Sequence, residues 1–218
     1  FTNHGAFITA PSTFDFCGDV TVGPDGYFSA AAGDTYNFHA GFASSSMNPL
    51  WNTSAATLAF VGPGTHALEL AGGNSLNWDM LWLDTGALID FEGLGELHVN
   101  SIILPDGDPG QLVNIDSDLK VFFVSIQTPN PAGGFDPVSF DPANLPANLI
   151  PDPATIWLLA NGLPSNANLQ TDPNGDGVNL LMAYALDLDP KQNLSGSMPK
   201  PVCAANQMSL TFYAGREG

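Results

Sequence analysis

Phe14-Asp15-Phe16, Tyr36-Asn37-Phe38 and Leu58-Ala59-Phe60 each hold two large apolar residues separated by one small or polar residue, and they recur 22 positions apart (36 − 14, 58 − 36). Two further steps of the same length land on Met80/Trp82 and Ile102/Leu104. An i, i+2 apolar pair is a strand pattern, because alternate side chains of a strand share a face. A period in the twenties belongs to a solenoid, in which one coil cannot bury its apolar face alone and stacks on the next. The two properties together give an all-β fold: a single-stranded parallel β-helix with rungs of about 22 residues. Its coils would lie about 4.8 Å apart. Phe16, Phe38, Phe60, Trp82 and Leu104 would then form one interior stack. An antiparallel sandwich of short strands is the alternative, but it leaves the common spacing without a cause.

Turn formers lie between the pairs: Gly18, Gly23-Pro24-Asp25-Gly26, Gly33-Asp34, Gly62-Pro63-Gly64, Gly72-Gly73-Asn74, Gly93 and Gly95. They let a coil change direction at its corners. Shorter apolar runs at residues 26–28, 67–70, 88–91 and 96–99 supply the other faces, and Leu119–Ile126 reads as the last rung. The β-helix therefore spans residues 1–126. Residues 127–151 are rich in Pro and Asn and read as a linker packed down by Phe135 and Phe140. Residues 152–190 change pattern and form a small helix-loop-helix module. Asp152-Pro153 is a helix N-cap followed by proline in the first position, Ala154–Ala160 a short helix, and Gly162 its C-terminal stop. A second short helix runs from about Asn179 to Leu186. Residues 191–218 begin a further β segment, with a strand from Gln207 to Ala214.

Composition narrows the function. Four Lys and Arg stand against 22 Asp and Glu, for a net charge of −18. Such a chain repels phosphate backbones, which argues against nucleic-acid binding, and it attracts cations. No apolar run of about 20 residues is present to span a membrane. The chain opens at Phe1, which reads as a mature or trimmed start, and it ends in a strand that reads as continuing. Cys17 and Cys203 are the only cysteines. They pair in a disulfide, within or between subunits, or stay as free thiols.

One motif carries chemistry. In Asp172-Pro-Asn174-Gly-Asp176-Gly177-Val178-Asn179, oxygen side chains alternate ahead of a glycine. Asp172, Asn174 and Asp176 converge on one point, Gly177 permits the sharp turn, and the Val178 carbonyl adds a ligand, with Asn179 offering an amide oxygen. A hard cation, Ca2+, suits that donor set. Free of metal, the same residues are ordinary turn formers. The stretch Trp157–Leu163, through Thr171–Asn179, to Leu181–Pro190 resembles the calcium-loop helical segment, related to dockerin and thrombospondin type 3 loops, of secreted bacterial surface proteins. The resemblance covers about 35 residues. It implies an extracellular location and a structural calcium. The chain departs from the pattern at the twelfth loop position, where Ala183 replaces an acid that would bind in bidentate fashion. That loss weakens binding, unless Asp187 or Asp189 substitutes.

Catalytic patterns are weak. β-Helix lyases use a basic residue, and the rungs hold no Arg and only Lys120. β-Helix hydrolases use stacked carboxylates. Asp84/Asp106 and Glu96/Asp118 are each 22 apart, which chance placement of this many acids also produces. His4, His39, His66 and His98 share no metal-ligand spacing, and no Gly-x-Ser-x-Gly elbow occurs. Trp78, Met80 and Trp82 share a parity that points them inward, leaving Trp51 as a candidate sugar contact. Asn52-Thr-Ser54 and Asn193-Leu-Ser195 match the N-glycosylation pattern. The expectation is a non-enzymatic, extracellular structural protein used for surface architecture, adhesion or filament building. Its alternative is a carbohydrate-binding or carbohydrate-active β-helix. Self-association is expected head to tail, with the Met208–Tyr213 segment adding to the apolar strand edge of Phe1–Phe7.

Overall fold

The computed structural model describes residues 1–105, 107–200, 202–204 and 207–209. The chain divides into two compact units, Phe1–Asp152 and Pro153–Gly218. None of the described helices is long and apolar enough to cross a membrane.

The first unit is a parallel β-solenoid of about 5 turns. Its coils run through three faces. The first face stacks β1 (Thr2–Asn3), β4 (Val20–Val22), β7 (Phe42–Ser44), the start of β9 (Gly64–Leu83), the start of β10 (Ala87–Ile103) and β11 (Leu112–Ile115). The second holds β2 (Ala6–Ile8) on β5 (Tyr27–Ser29), which an Asn52 bridge at Ser29 continues. It then passes through the middles of β9 and β10 to β12 (Leu119–Pro129) and β14 (Leu149–Pro151). The third stacks β3 (Thr13–Phe16), β6 (Thr35–Phe38), β8 (Thr53–Phe60) and the ends of β9, β10 and β12. Antiparallel β13 (Phe135–Pro137) pairs with the last of these.

The third face contains the repeat. Phe14, Tyr36, Leu58, Leu81, Ile102 and Ile126 lie in register, one per coil. Phe16, Phe38, Phe60 and Leu83 form the neighbouring column, with Leu104 next in line. The Phe16 and Phe38 rings stack with centroids 5.2 Å apart, and Phe38 lies 5.9 Å from Phe60. The expected Met80/Trp82 pair is therefore corrected to Leu81/Leu83, both fully buried. The cause is a change of parity inside β9. Leu76 and Trp78 point inward, and so do Leu81 and Leu83, so Asp79 and Met80 take up one extra residue at the bend. The coil-to-coil step rises to 23 (81 − 58) and falls to 21 at the next coil (102 − 81). The two slips cancel, which is why the fixed spacing of 22 still lands on Ile102 and Leu104. Trp82 consequently faces outward, where Phe135 covers it at 5.6 Å.

Corners are sharp where the coil bends between faces. Gly93 has φ +98, and a Cβ on it would stand 2.0 Å from the Leu70 carbonyl oxygen of the preceding coil. Only glycine fits such an approach. Residues 127–151, read from sequence as a linker, belong to the solenoid unit and add β13 and β14 to it.

The second unit contains α1 (Pro153–Ala160), α2 (Leu180–Ala185) and a hairpin of β15 (Val202–Ala204) with β16 (Gln207–Ser209). Gly162 follows α1 with φ +63, the left-handed stop that sequence placed there. Residues 210–214 of the expected strand lie outside the described residues.

Candidate functional site

Several acids of the solenoid are committed to its backbone. Asp34 is fully buried at the corner between the second and third faces. Its carboxylate accepts the Ala31 N–H (2.7 Å), the Ser12 N–H of the neighbouring coil (2.8 Å) and the Thr9 hydroxyl. Asp19 accepts the Gly41 N–H (3.0 Å), Asp84 the Gly62 N–H (3.4 Å) and Asp116 the Gly93 N–H (2.8 Å). Apart from the Ala31–Asp34 bond, each crosses from one coil to the next at a corner, where the chain leaves the ladder and its N–H groups lose sheet partners. A carboxylate is a strong acceptor for such an orphan donor. Part of the excess of acids over bases thus has a structural cause.

Of the carboxylate pairs considered for catalysis, Glu96/Asp118 is not brought into register. Glu96 lies opposite Lys120, not Asp118, because the step at this coil is 24 (120 − 96). Glu96 instead approaches His98 (3.2 Å), whose ring stacks on Phe122 at 4.7 Å. Asp106 lies outside the described residues. His66 is buried with its ring nitrogens near the Gly62 and Ala40 carbonyls (3.1 and 3.4 Å), and His39 lies 3.6 Å from Asp15 on the surface. Trp51, the candidate sugar contact, is half-buried. It stacks on Phe28 at 5.3 Å, meets Trp78 edge-on at 6.4 Å, and donates its Nε1–H to the Thr53 hydroxyl. Cys17 is an exposed free thiol, and the side chain of Cys203 lies outside the described set.

The Asx-rich loop of the second unit does gather its residues. Asp172 Oδ1 accepts the N–H of Gly175 (2.9 Å) and of Asp176 (3.3 Å), and Oδ2 accepts the N–H of Gly177 (2.8 Å). Gly175 and Gly177 take φ +71 and +85, which lets these amides turn toward one carboxylate. Asn174 Oδ1 accepts the Asp176 N–H (3.2 Å). Its amide donates to Asp176 Oδ2 (3.2 Å) and to the carbonyls of Pro190 (3.0 Å) and Gln192 (2.7 Å). Asp176 Oδ1 accepts the Val178 N–H (2.8 Å), and Oδ2 accepts the Leu194 N–H. The Leu194 N–H foremost, then those of Val178 and the Asn174 amide, hold the Asp176 carboxyl below the usual carboxylate range.

Asn179 plays another part. Its oxygen accepts the Met182 N–H (2.9 Å) and caps α2. Ala183, at the position where a coordinating acid was expected, is buried with Val178 and Leu194 against Trp157, Leu188 and Met198. An acid there would be a charge in an apolar cluster. Asp189 serves the Lys191 N–H (2.9 Å) and the Gln192 amide (3.0 Å), so its oxygens hold the following turn. Asp187 takes φ +51 just after α2. The closure of residues 190–194 onto the loop was not visible in the spacing, and Pro190 was its only hint. Counted by His, Cys, Asp and Glu alone, no group of three is placed to hold a metal among the described residues. The loop's two carboxylates are supplemented by amide and carbonyl oxygens, a donor set that suits a hard cation. An apolar groove with Val178, Met182, Leu186 and Met198 in its walls runs beside the loop.

No protein-family model, curated protein or solved structure matches the chain.

Proposed function

We propose that the chain is an extracellular, non-enzymatic structural protein: a β-solenoid of surface or filament architecture with a calcium loop in its C-terminal unit. The observation that supports this reading is where the solenoid's acids go. Asp19, Asp34, Asp84 and Asp116 hold the backbone of adjoining coils. A β-helix hydrolase would instead need free carboxylates converging on one groove. The stacked interior makes a stiff body, which fits a mechanical or spacing role.

The test has two arms. Surface labelling of intact cells with an antibody to the solenoid should report the protein outside, and the purified chain should leave neutral and acidic polysaccharides unchanged. Turnover of a polysaccharide that co-purifies with the chain would overturn the reading. Binding without turnover on a glycan array would favour the carbohydrate-binding alternative.

Calcium belongs to the same proposal. Asp172, Asn174, Asp176 and the Val178 carbonyl supply the ligands, with Asn179 fixing α2 behind them. Calorimetric titration with Ca2+ should give heat in the parent and none in Asp176→Ala. Equal thermal stability in calcium and in chelator would leave an Asx turn alone. Self-association rests on the first coil, where Phe1 and Ile8 are exposed and Phe7, Phe14 and Phe16 are only partly buried. A strand from a second copy adding to that edge would cover them. Of the segment proposed as donor, residues 210–213 lie outside the described residues.

A further inference from the structure

We propose that residues 129–151 are a built-in stop, which closes the last coil of the solenoid and denies its strand edges to a second copy of this chain. The proposal needs neither the calcium loop nor the extracellular location.

A parallel coil leaves its edge amides and its apolar interior open to the next coil. After β12 the chain turns back over the interior and adds β14 and β13 to the edges of the second and third faces. Val138, Phe140 and Leu145 pack against the core, and Leu149 is buried in it. The Phe140 ring lies 5.4 Å from Phe123 of the last coil. Asn148 donates to the Asp116 carbonyl at the corner (2.8 Å).

The edges themselves are poor in donors. In β14 the Leu149 N–H turns back to the Pro146 carbonyl (2.9 Å), and Asp152 donates inward to Phe123 (2.7 Å). Between them stands Pro151, which has no N–H. In β13 Val138 donates inward to Ile126 (2.8 Å), so alternation puts the nitrogens of Phe135 and Pro137 on the free side. Pro137 has no hydrogen to offer there, and Asp136 adds charge. Proline and charge are the means by which exposed edges avoid pairing. β13 is also antiparallel, the one such pair among the described residues of this unit, and it breaks the polarity that a further parallel coil would need. Asn130 fixes the turn before it. Its oxygen accepts the N–H of Ala132 (3.1 Å) and Gly134 (2.9 Å), and its amide reaches Asp136 (2.9 Å). Phe135 anchors the strap over outward-facing Trp82.

The experiment restores the donors. In the full chain, Asp136→Thr with Pro137→Val and Pro151→Val gives both edges a free N–H row while leaving the apolar cover in place. Sedimentation velocity over a concentration series should show the variant shifting toward dimer and larger species at concentrations where the parent does not change. Hydrogen exchange of the associated species should show new protection at residues 135–137 and 149–151. Pro137→Val alone is the second variant, for the case that the triple one does not fold, and a smaller shift of the same kind is expected from it. Folded variants that sediment as the parent does at every concentration would overturn the proposal. So would association that protects only residues 2–16.

Discussion

The solenoid and the Asx loop use the same side chain for opposite purposes. At the solenoid corners, carboxylates reach an adjoining coil: Asp34 bonds Ser12, and Asp116 bonds Gly93. In the loop, Asp172 bonds amides three to five residues ahead, and only Asp176 reaches out, to Leu194. The surroundings differ as well. Asp34 is sealed inside a unit whose columns of Phe, Tyr and Leu run from coil to coil, whereas the loop rests on a small cluster of Val178, Ala183 and Leu194. Burial commits Asp34 to stability, whereas Asp19 and Asp116 hold their corners from the surface. Asp172 and Asp176 are half-buried and keep lone pairs beyond those their N–H bonds use, since a carboxylate oxygen accepts more than one partner. An acid-rich sequence is therefore no guide to chemistry until the acceptors are assigned.

The largest expected effect breaks the solenoid side. Phe38 is fully buried between the Phe16 and Phe60 rings. Phe38→Asp loses its packing and buries an unpaired charge, at a cost of more than about 4 kcal/mol. Urea unfolding followed by circular dichroism should show the first unit lost or severely weakened. A loss below about 1 kcal/mol would mean that the stack does not carry the coil.

Asp34→Ala tests the corner acids. It strips the Ser12 and Ala31 N–H groups and the Thr9 hydroxyl of their acceptor. Leaving such buried donors unpaired costs about 2–4 kcal/mol. Asp34→Asn, which keeps one acceptor oxygen, should fall between parent and alanine variant in the same urea experiment. Equal stability of all three would erase the distinction between committed and available carboxylates.

Alkali reads the same corner from the other side. Burial foremost pushes the Tyr36 phenol up to about 12; the Thr9 hydroxyl opposes this and Asp34 adds to it. The folded value lies above the ordinary 10.0, so the contribution is complete below pH 10 and is lost as pH rises through 12. About 2–3 kcal/mol should disappear across that window. Tyr36→Phe should flatten the alkaline limb of a stability–pH curve, and an unchanged limb would contradict the sealed corner.

The legibility of the two regions follows the range of their contacts. The first three coils were readable because Phe14, Tyr36 and Leu58 repeat without insertion, and a strand advertises its inward face every second residue. The fourth coil was misread because the bend at Asp79-Met80 changes parity, and periodicity cannot locate a bend that no glycine marks. Glu96 was matched to Asp118 for the same reason: the step there is 24, not 22. In the loop, Asp172, Asn174 and Asp176 were legible because their partners lie within a few residues. The role of Asn179 as a helix cap was not separated from ligation, because both need the same oxygen at the same place. The contacts of Asn174 and Asp176 with residues 190–194 span 16 to 18 positions and carry no repeat to announce them.

The smallest effect lies in the loop, and it has the sharpest sign. The Leu194 N–H lowers the Asp176 carboxyl below its ordinary 3.8, and the Lys191 N–H does the same for Asp189. A depressed carboxyl stabilises the fold above its unfolded value and ceases to do so as pH falls through the folded one. The second unit should therefore loosen below its ordinary carboxylate range while the solenoid, held by its apolar columns, keeps its circular dichroism. The Trp157 and Tyr184 rings, 5.6 Å apart, give an environment-sensitive reporter, with Trp157→Phe as the control that isolates it. Asp176→Asn removes the titrating group and one strong acceptor. It should move the acid transition of that reporter to higher pH or leave the unit already loosened at pH 5, and calcium should not restore it. If the parent's reporter and the solenoid signal change together in acid, the two regions are one cooperative body. The contrast between sealed and available carboxylates would then have no thermodynamic expression.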